Sequence, residues 1–160
     1  MWTYELVNNG VYRCGFATQQ GAYEQAEKDV HEGLRRCDEL LGAARFLCGD
    51  TVSEADVRLL PTIVRFDGVY APFFRCGRFQ VRSDYPNVRR WCGDMLELTG
   101  PDLFDLADAR KGYYCDLFPL NPGGIVPAGP TEVDLGFPAR EEGTARGAQR
   151  EPAAFTWRGA

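Results

Sequence analysis

The sequence predicts an all-α protein, and three observations carry that expectation. Apolar residues recur in steps of three and four along Tyr23, Ala26, Val30, Leu34, Cys37 and Leu41, the period of a helix face turned towards a core. A second stripe, Val88, Trp91, Met95 and Leu98, follows Tyr85-Pro86. No segment shows the apolar–polar alternation of a half-buried strand.

Taken in order, residues 1–15 read as the end of a helix running into a short loop at Asn8-Asn9-Gly10. Residues 16–42 form the first long amphipathic helix, with Glu24, Lys28, Asp29, Arg35 and Asp38 on its solvated face. Gly49-Asp50 marks a turn. Ser53 and Asp56, three residues apart, can form a reciprocal capping box that satisfies the first N–H groups of the next helix. Val57, Leu60, Ile63, Val64 and Val69 make this second helix central and buried. Pro61 falls inside it, removes a backbone donor, and is expected to kink it.

Ala71-Pro72-Phe73-Phe74 reads as an interruption. Asp84-Tyr85-Pro86-Asn87 starts another helix with Pro86 at its first position, and Gly100-Pro101 ends it. A short helix is expected from Leu103 to Arg110. From Phe118 the texture changes, and Asn121–Pro130 is too rich in Gly and Pro for regular structure. One helical domain is therefore expected over 1–130, with 131–160 a disordered tail.

Composition bounds the function. With 160 residues, 44% hydrophobic and 26% charged, the chain reads as globular and large enough for a core. A net charge of −5 argues against general nucleic-acid binding. No apolar run approaches the roughly 20 residues of a membrane span. Six cysteines lie at wide intervals, without a C-x-x-C pair and with His31 as the one histidine. No metal site is expected from that spacing. Without a signal peptide, free thiols in a reducing, cytoplasmic compartment are expected.

Five segments, in order, resemble one family. They are Asn8-Asn-Gly-Val-Tyr12-Arg-Cys-Gly-Phe-Ala, Leu59-Leu-Pro-Thr-Ile-Val-Arg65-Phe-Asp67-Gly-Val-Tyr70, Phe74-Arg-Cys76, Asp84-Tyr-Pro-Asn87 and Asn121-Pro-Gly-Gly-Ile-Val-Pro-Ala-Gly-Pro130. Together with the box at Ser53 and Asp56 they resemble the helical half of the glutathionyl-hydroquinone reductases, the Xi class of glutathione transferases. Pro61, Gly112 and Gly123 depart from the residues usual at those places.

The resemblance implies a glutathione-transferase C-terminal-like helical bundle followed by an irregular Pro/Gly-rich tail. It implies glutathione-dependent reductive removal of glutathione from quinol conjugates, with glutathione as cosubstrate. In the family a cysteine thiolate of an N-terminal thioredoxin-fold domain attacks the thioether sulfur. A second glutathione then resolves the mixed disulfide. That domain, its cysteine and most glutathione contacts are absent from this chain, so a separate thioredoxin-fold domain is an expected partner. So are a glutathionyl-hydroquinone-type aromatic substrate and a second copy, in a homodimer through the helical domain. An organellar location is as compatible with the family as a cytoplasmic one. The alternative is a non-catalytic binding or scaffold module that keeps the helical fold.

The family's two substrate-pocket phenols fall on Tyr12 and Tyr113, where they would hydrogen-bond a quinol oxygen. Tyr70, Phe74 and Tyr114 are expected to line the substrate pocket, Tyr114 as the substitute for Tyr113 if the register shifts by one. Arg65 and Asp67 are expected to be structural, fixing neighbouring backbone or each other. Cys14 is not expected to act as nucleophile, because nothing nearby in sequence would lower its pKa. Cys76 matches a family cysteine that is not the nucleophile.

Overall fold

A computed structural model describes residues 2–117 and 120–138. Among these the protein is helical, with one isolated β-bridge between Phe46 and Gly49 and no strand. The helices are α1 (Gly10–Phe16), α2 (Gln20–Ala43), α3 (Glu54–Arg65), α4 (Ala71–Phe73), α5 (Val81–Asp84), α6 (Pro86–Thr99) and α7 (Leu106–Asp116). π-helical turns at Tyr4–Asn8 and Phe66–Tyr70 precede α1 and α4. No helix among the described residues is long and apolar enough to cross a membrane.

The loop expected at Asn8-Asn9-Gly10 is absent. The Asn9 N–H donates to the Tyr4 carbonyl at 2.8 Å, and α1 follows at once. Gly10 serves packing there, since a Cβ on it would lie 2.7 Å from the Val30 side chain. Helix α2 runs as its stripe predicts, with Ala26, Val30, Leu34, Cys37 and Leu41 buried. Asp38 departs from the solvated face. Its carboxylate accepts the Asn87 and Val88 N–H groups at 2.8 and 3.0 Å, capping α6 from across the core.

The start of α3 is tied by Asp56. Its Oδ2 accepts the Ser53 N–H and hydroxyl at 2.9 and 2.5 Å. Its Oδ1 accepts the Leu47 N–H at 2.9 Å and the Trp91 indole N–H at 2.8 Å. That anchorage turns Asp56, Leu59 and Ile63 inward and leaves Val57 57% exposed, contrary to the expected stripe. The helix continues through Pro61, whose exposed position lets water meet the Val57 carbonyl it cannot serve.

Ala71-Pro72-Phe73 is no interruption. The helical path runs through the second π turn to Phe73 and stops only at Arg75, which has φ 64°. Pro72 offers no N–H to the Gly68 carbonyl, four residues back, and Arg110 Nε donates to it instead at 3.3 Å. Helix α6 begins at Pro86 and ends before Gly100, φ 92°, as expected. Its inner face uses Leu96, while Leu98 is exposed.

Helix α7 starts later and ends later than Leu103–Arg110. Asp105 caps it by accepting the Asp108 N–H at 2.7 Å. The loop after it is held by Asn121, which donates to the carbonyls of Tyr114 and Ile125 at 2.7 and 3.0 Å. The buried Arg110 donates to those of Ala128 and Pro130 at 2.5 and 2.6 Å. The tail expected from residue 131 is folded as far as Pro138. Leu135 is buried, and Glu132 accepts the Leu106 N–H at 3.0 Å, covering the start of α7. The disorder expected for 139–160 lies outside the described residues.

Candidate functional site

Three tyrosines from distant parts of the chain meet at one cleft. Tyr12 comes from α1, Tyr70 closes the second π turn, and Tyr113 lies on α7. The Tyr113 hydroxyl is 2.6 Å from that of Tyr12 and 2.7 Å from that of Tyr70, and the outer pair are 3.4 Å apart. The cleft beside them, about 360 Å³, is also lined by Tyr4, Asn8, Asn9, Pro61, Thr62 and Arg65. Two short hydrogen bonds among three hydroxyls use two of the three protons. The third O–H has only the longer 3.4 Å contact between Tyr12 and Tyr70 and can turn to a ligand instead. Tyr70 is buried and Tyr12 is 37% exposed. With Tyr70 donating to Tyr113 and Tyr113 to Tyr12, one of the two directions these bonds allow, the free donor would fall at the solvent end, each bond polarising the next.

Burial, followed by hydrogen bonding to Tyr113 and Tyr12, pushes the Tyr70 phenol well above its ordinary range. Burial also raises Tyr113. Both stay protonated at neutral pH and act as neutral donors.

Phe74 does not face the cleft. It is fully buried beneath the cluster, 5.3 Å from the Tyr12 ring and 5.5 Å from that of Tyr70, which it stacks upon. Its place depends on Gly15, where a Cβ would come within 2.3 Å of the Phe74 ring. Gly15→Ala is therefore expected to lower stability by about 1–3 kcal/mol through overpacking. It should also shift the ring resonances of Tyr12 and Tyr70, and an unmoved NMR spectrum would contradict this account of the cluster. Tyr114 packs on Phe73, 4.4 Å between ring centroids, and is not among the cleft residues. Of the two neighbouring tyrosines, it is Tyr113 whose hydroxyl joins the cluster.

Arg65 and Asp67 do not pair with each other. Asp67 accepts the Val81 and Arg82 N–H groups at 2.8 and 2.9 Å and so caps α5. Burial outweighs those bonds and raises its carboxyl. Arg65 donates to the Pro61 carbonyl at 2.8 Å, lies over the Phe104 ring and lines the cleft.

The six cysteines are free. Cys14 has a neighbour the sequence did not suggest: the Cys76 thiol lowers its pKa, against burial. Cys76 is raised by its pairing with Cys14 and by burial, and its thiol lies 3.7 Å from the Phe74 carbonyl. Both are fully buried, so access rather than pKa keeps Cys14 from attacking a substrate. Among the described residues no three His, Cys, Asp or Glu are placed to hold a metal ion.

The sequence reading missed the cleft's outer residues and Arg110. Asn8 and Asn9 belong to the quoted N-x-G-V-Y segment, which could have marked them. An arginine that hydrogen-bonds three carbonyls across the fold leaves no local pattern.

The helical body with this cleft has the fold of a glutathione-transferase C-terminal domain. The family profile described as "Glutathione S-transferase, C-terminal domain" matches residues 20–94. Within that class the chain matches the helical halves of glutathionyl-hydroquinone reductases and Xi-class glutathione transferases. It is 41% identical over 138 residues to glutathionyl-hydroquinone reductase YqjG of Escherichia coli K12, covering 86% of this chain and 42% of that protein. It is 44% identical over 131 residues to glutathionyl-hydroquinone reductase PcpF of Sphingobium chlorophenolicum, covering 81% and 41%. Among solved structures, glutathione-bound YqjG superposes with a TM-score of 0.79 at 40% identity, covering 86% of this chain and 44% of that one. Glutathione-S-transferase Xi from Phanerochaete chrysosporium superposes with 0.76 at 41% identity, covering 81% and 44%. The chain thus spans about two-fifths of the length of these relatives.

Proposed function

We propose that this chain is the helical, substrate-binding half of a glutathionyl-hydroquinone reductase. The observation that carries the reading is the convergence of the Tyr12, Tyr70 and Tyr113 hydroxyls on one cleft. The thiol and most glutathione contacts come from a thioredoxin-fold domain. In the keto tautomer of a glutathionyl-hydroquinone, the carbon bearing sulfur holds the ring proton. A thiolate attacks that sulfur, an S–S bond forms and the C–S bond breaks. The electron pair moves onto the ring oxygen, giving the hydroquinone anion. A second glutathione then releases glutathione disulfide. Neutral phenols aimed at the ring oxygen favour the keto form and stabilise the departing anion.

A homodimer through the helical domain and a cytoplasmic or organellar location complete this reading. Free cysteines suit such a reducing compartment.

The test joins this chain to a thioredoxin-fold half and follows turnover of a glutathionyl-hydroquinone. Tyr113→Phe removes the central hydroxyl and should lower kcat by about 10–100-fold, somewhat less than loss of a lone oxyanion donor because two phenols remain. Undiminished turnover in a Tyr12→Phe/Tyr113→Phe double variant would falsify the reading.

A further inference from the structure

Among the described residues lining the tyrosine cleft, Arg65 is the one with a formal charge. Six other arginines, at positions 13, 35, 45, 58, 78 and 90, sit in ion pairs with carboxylates. Arg65 enters no ion pair among the described residues. It is nevertheless fixed. Nη1 donates to the Pro61 carbonyl at 2.8 Å. The guanidinium carbon lies 5.4 Å from the centre of the Phe104 ring. One of its five N–H donors is taken by Pro61. The guanidinium is thus held at a cleft with no acid in its lining. A positioned arginine of this kind is suited to bidentate carboxylate binding.

We infer that Arg65 is the anion-recognition group of this cleft, and that its preferred ligands are quinols bearing a carboxylate. The phenolic end of the ligand meets the tyrosine hydroxyls and the carboxylate meets the guanidinium. This rests on the quinol reading above and adds a substrate class to it. The carboxylate has two possible sources, a substituent on the ring or the glutathionyl arm.

The test uses the 160-residue chain and three probes: 2,5-dihydroxybenzoate, its methyl ester, and glutathione. Affinities are measured by titration calorimetry, and the site is read from the tyrosine ring resonances. If the carboxylate is on the ring, the acid should bind about ten-fold more tightly than the ester. Arg65→Gln should reduce that ratio to below about two-fold while leaving the ester unchanged, and Arg65→Lys should restore part of it. If the carboxylate is on the glutathionyl arm, acid and ester should bind alike, and glutathione binding should weaken about ten-fold in Arg65→Gln. The acid–ester ratio in the unmodified chain needs no variant, so a folding defect cannot obscure it.

Ester binding at the tyrosines with no Arg65-dependent preference for either carboxylate overturns the role of Arg65 and leaves the quinol reading standing. Equal weakening of acid and ester in Arg65→Gln also overturns it. Failure of both ring compounds to reach the tyrosines overturns the two readings together.

Discussion

Replacing Asp56 with alanine is expected to remove roughly 3–5 kcal/mol of stability, the range for breaking a buried charged network. The carboxylate is fully buried and accepts four hydrogen bonds, from Ser53 twice, Leu47 and Trp91. Alanine leaves three N–H donors without a partner, one of them the indole of the fully buried Trp91. Urea unfolding measures the loss, and a change below about 1 kcal/mol would refute the account, since an average point mutation already does that much. The residue also carries a pH dependence. Burial raises its carboxyl, but the hydrogen bonds together hold it below its usual value. Its contribution is then complete above the unfolded value of about 3.9. It is lost as pH falls through the lower folded value. Asp67, raised by burial, has the opposite sign: its contribution is present below the unfolded value and lost as pH rises through the folded one. Asp56→Asn should therefore flatten the acid-side fall in stability, and Asp67→Asn should steepen it.

Arg110→Met is expected to cost about 3 kcal/mol or more, because the carbonyls of Gly68, Ala128 and Pro130 each lose a charge-assisted bond. Thermal unfolding checks the size of the loss. Limited proteolysis checks its place, with new cleavage between residues 120 and 138. Arg110→Lys should not rescue it, since one ammonium lacks the planar fork that spans these carbonyls. Cleavage unchanged from the parent chain would show that the loop is held by other contacts.

The long helices were legible because their cause is local. The α2 stripe, the Ser53–Asp56 box and Pro86 at the head of α6 each act within a few residues. The exact faces of α3 and α6 were less so. Val57 and Leu98 fit the periodicity but lie outward; on α3 the rotation is set by Asp56, which is tied to Trp91, 35 residues away, and to Leu47 across the preceding turn. At the site, Tyr12 and Tyr113 followed from family resemblance, 101 residues apart. That Tyr70 shares their hydrogen bonds, that Phe74 lies beneath them and that Arg65 turns to the cleft are products of packing. The folding of residues 131–138 was hidden for the same reason. Their composition suggests a loose end, but Leu135 and Glu132 find partners on the body.

The second π turn carries a consequence for how this chain can vary. The Ala71 N–H reaches the Phe66 carbonyl, five residues back. The helix therefore holds one more residue in that turn than regular winding would. Deleting a single residue between Phe66 and Tyr70 would restore ordinary winding and leave the parts on either side in register. Tightening the turn to ordinary winding with every residue kept would instead carry one side around the axis by about 100° relative to the other. Tyr70 would then swing off the Tyr113 oxygen while the helix itself survived. At this turn the winding and the residue count must agree, and a change that tightens the one without the other loses the aim of one phenol.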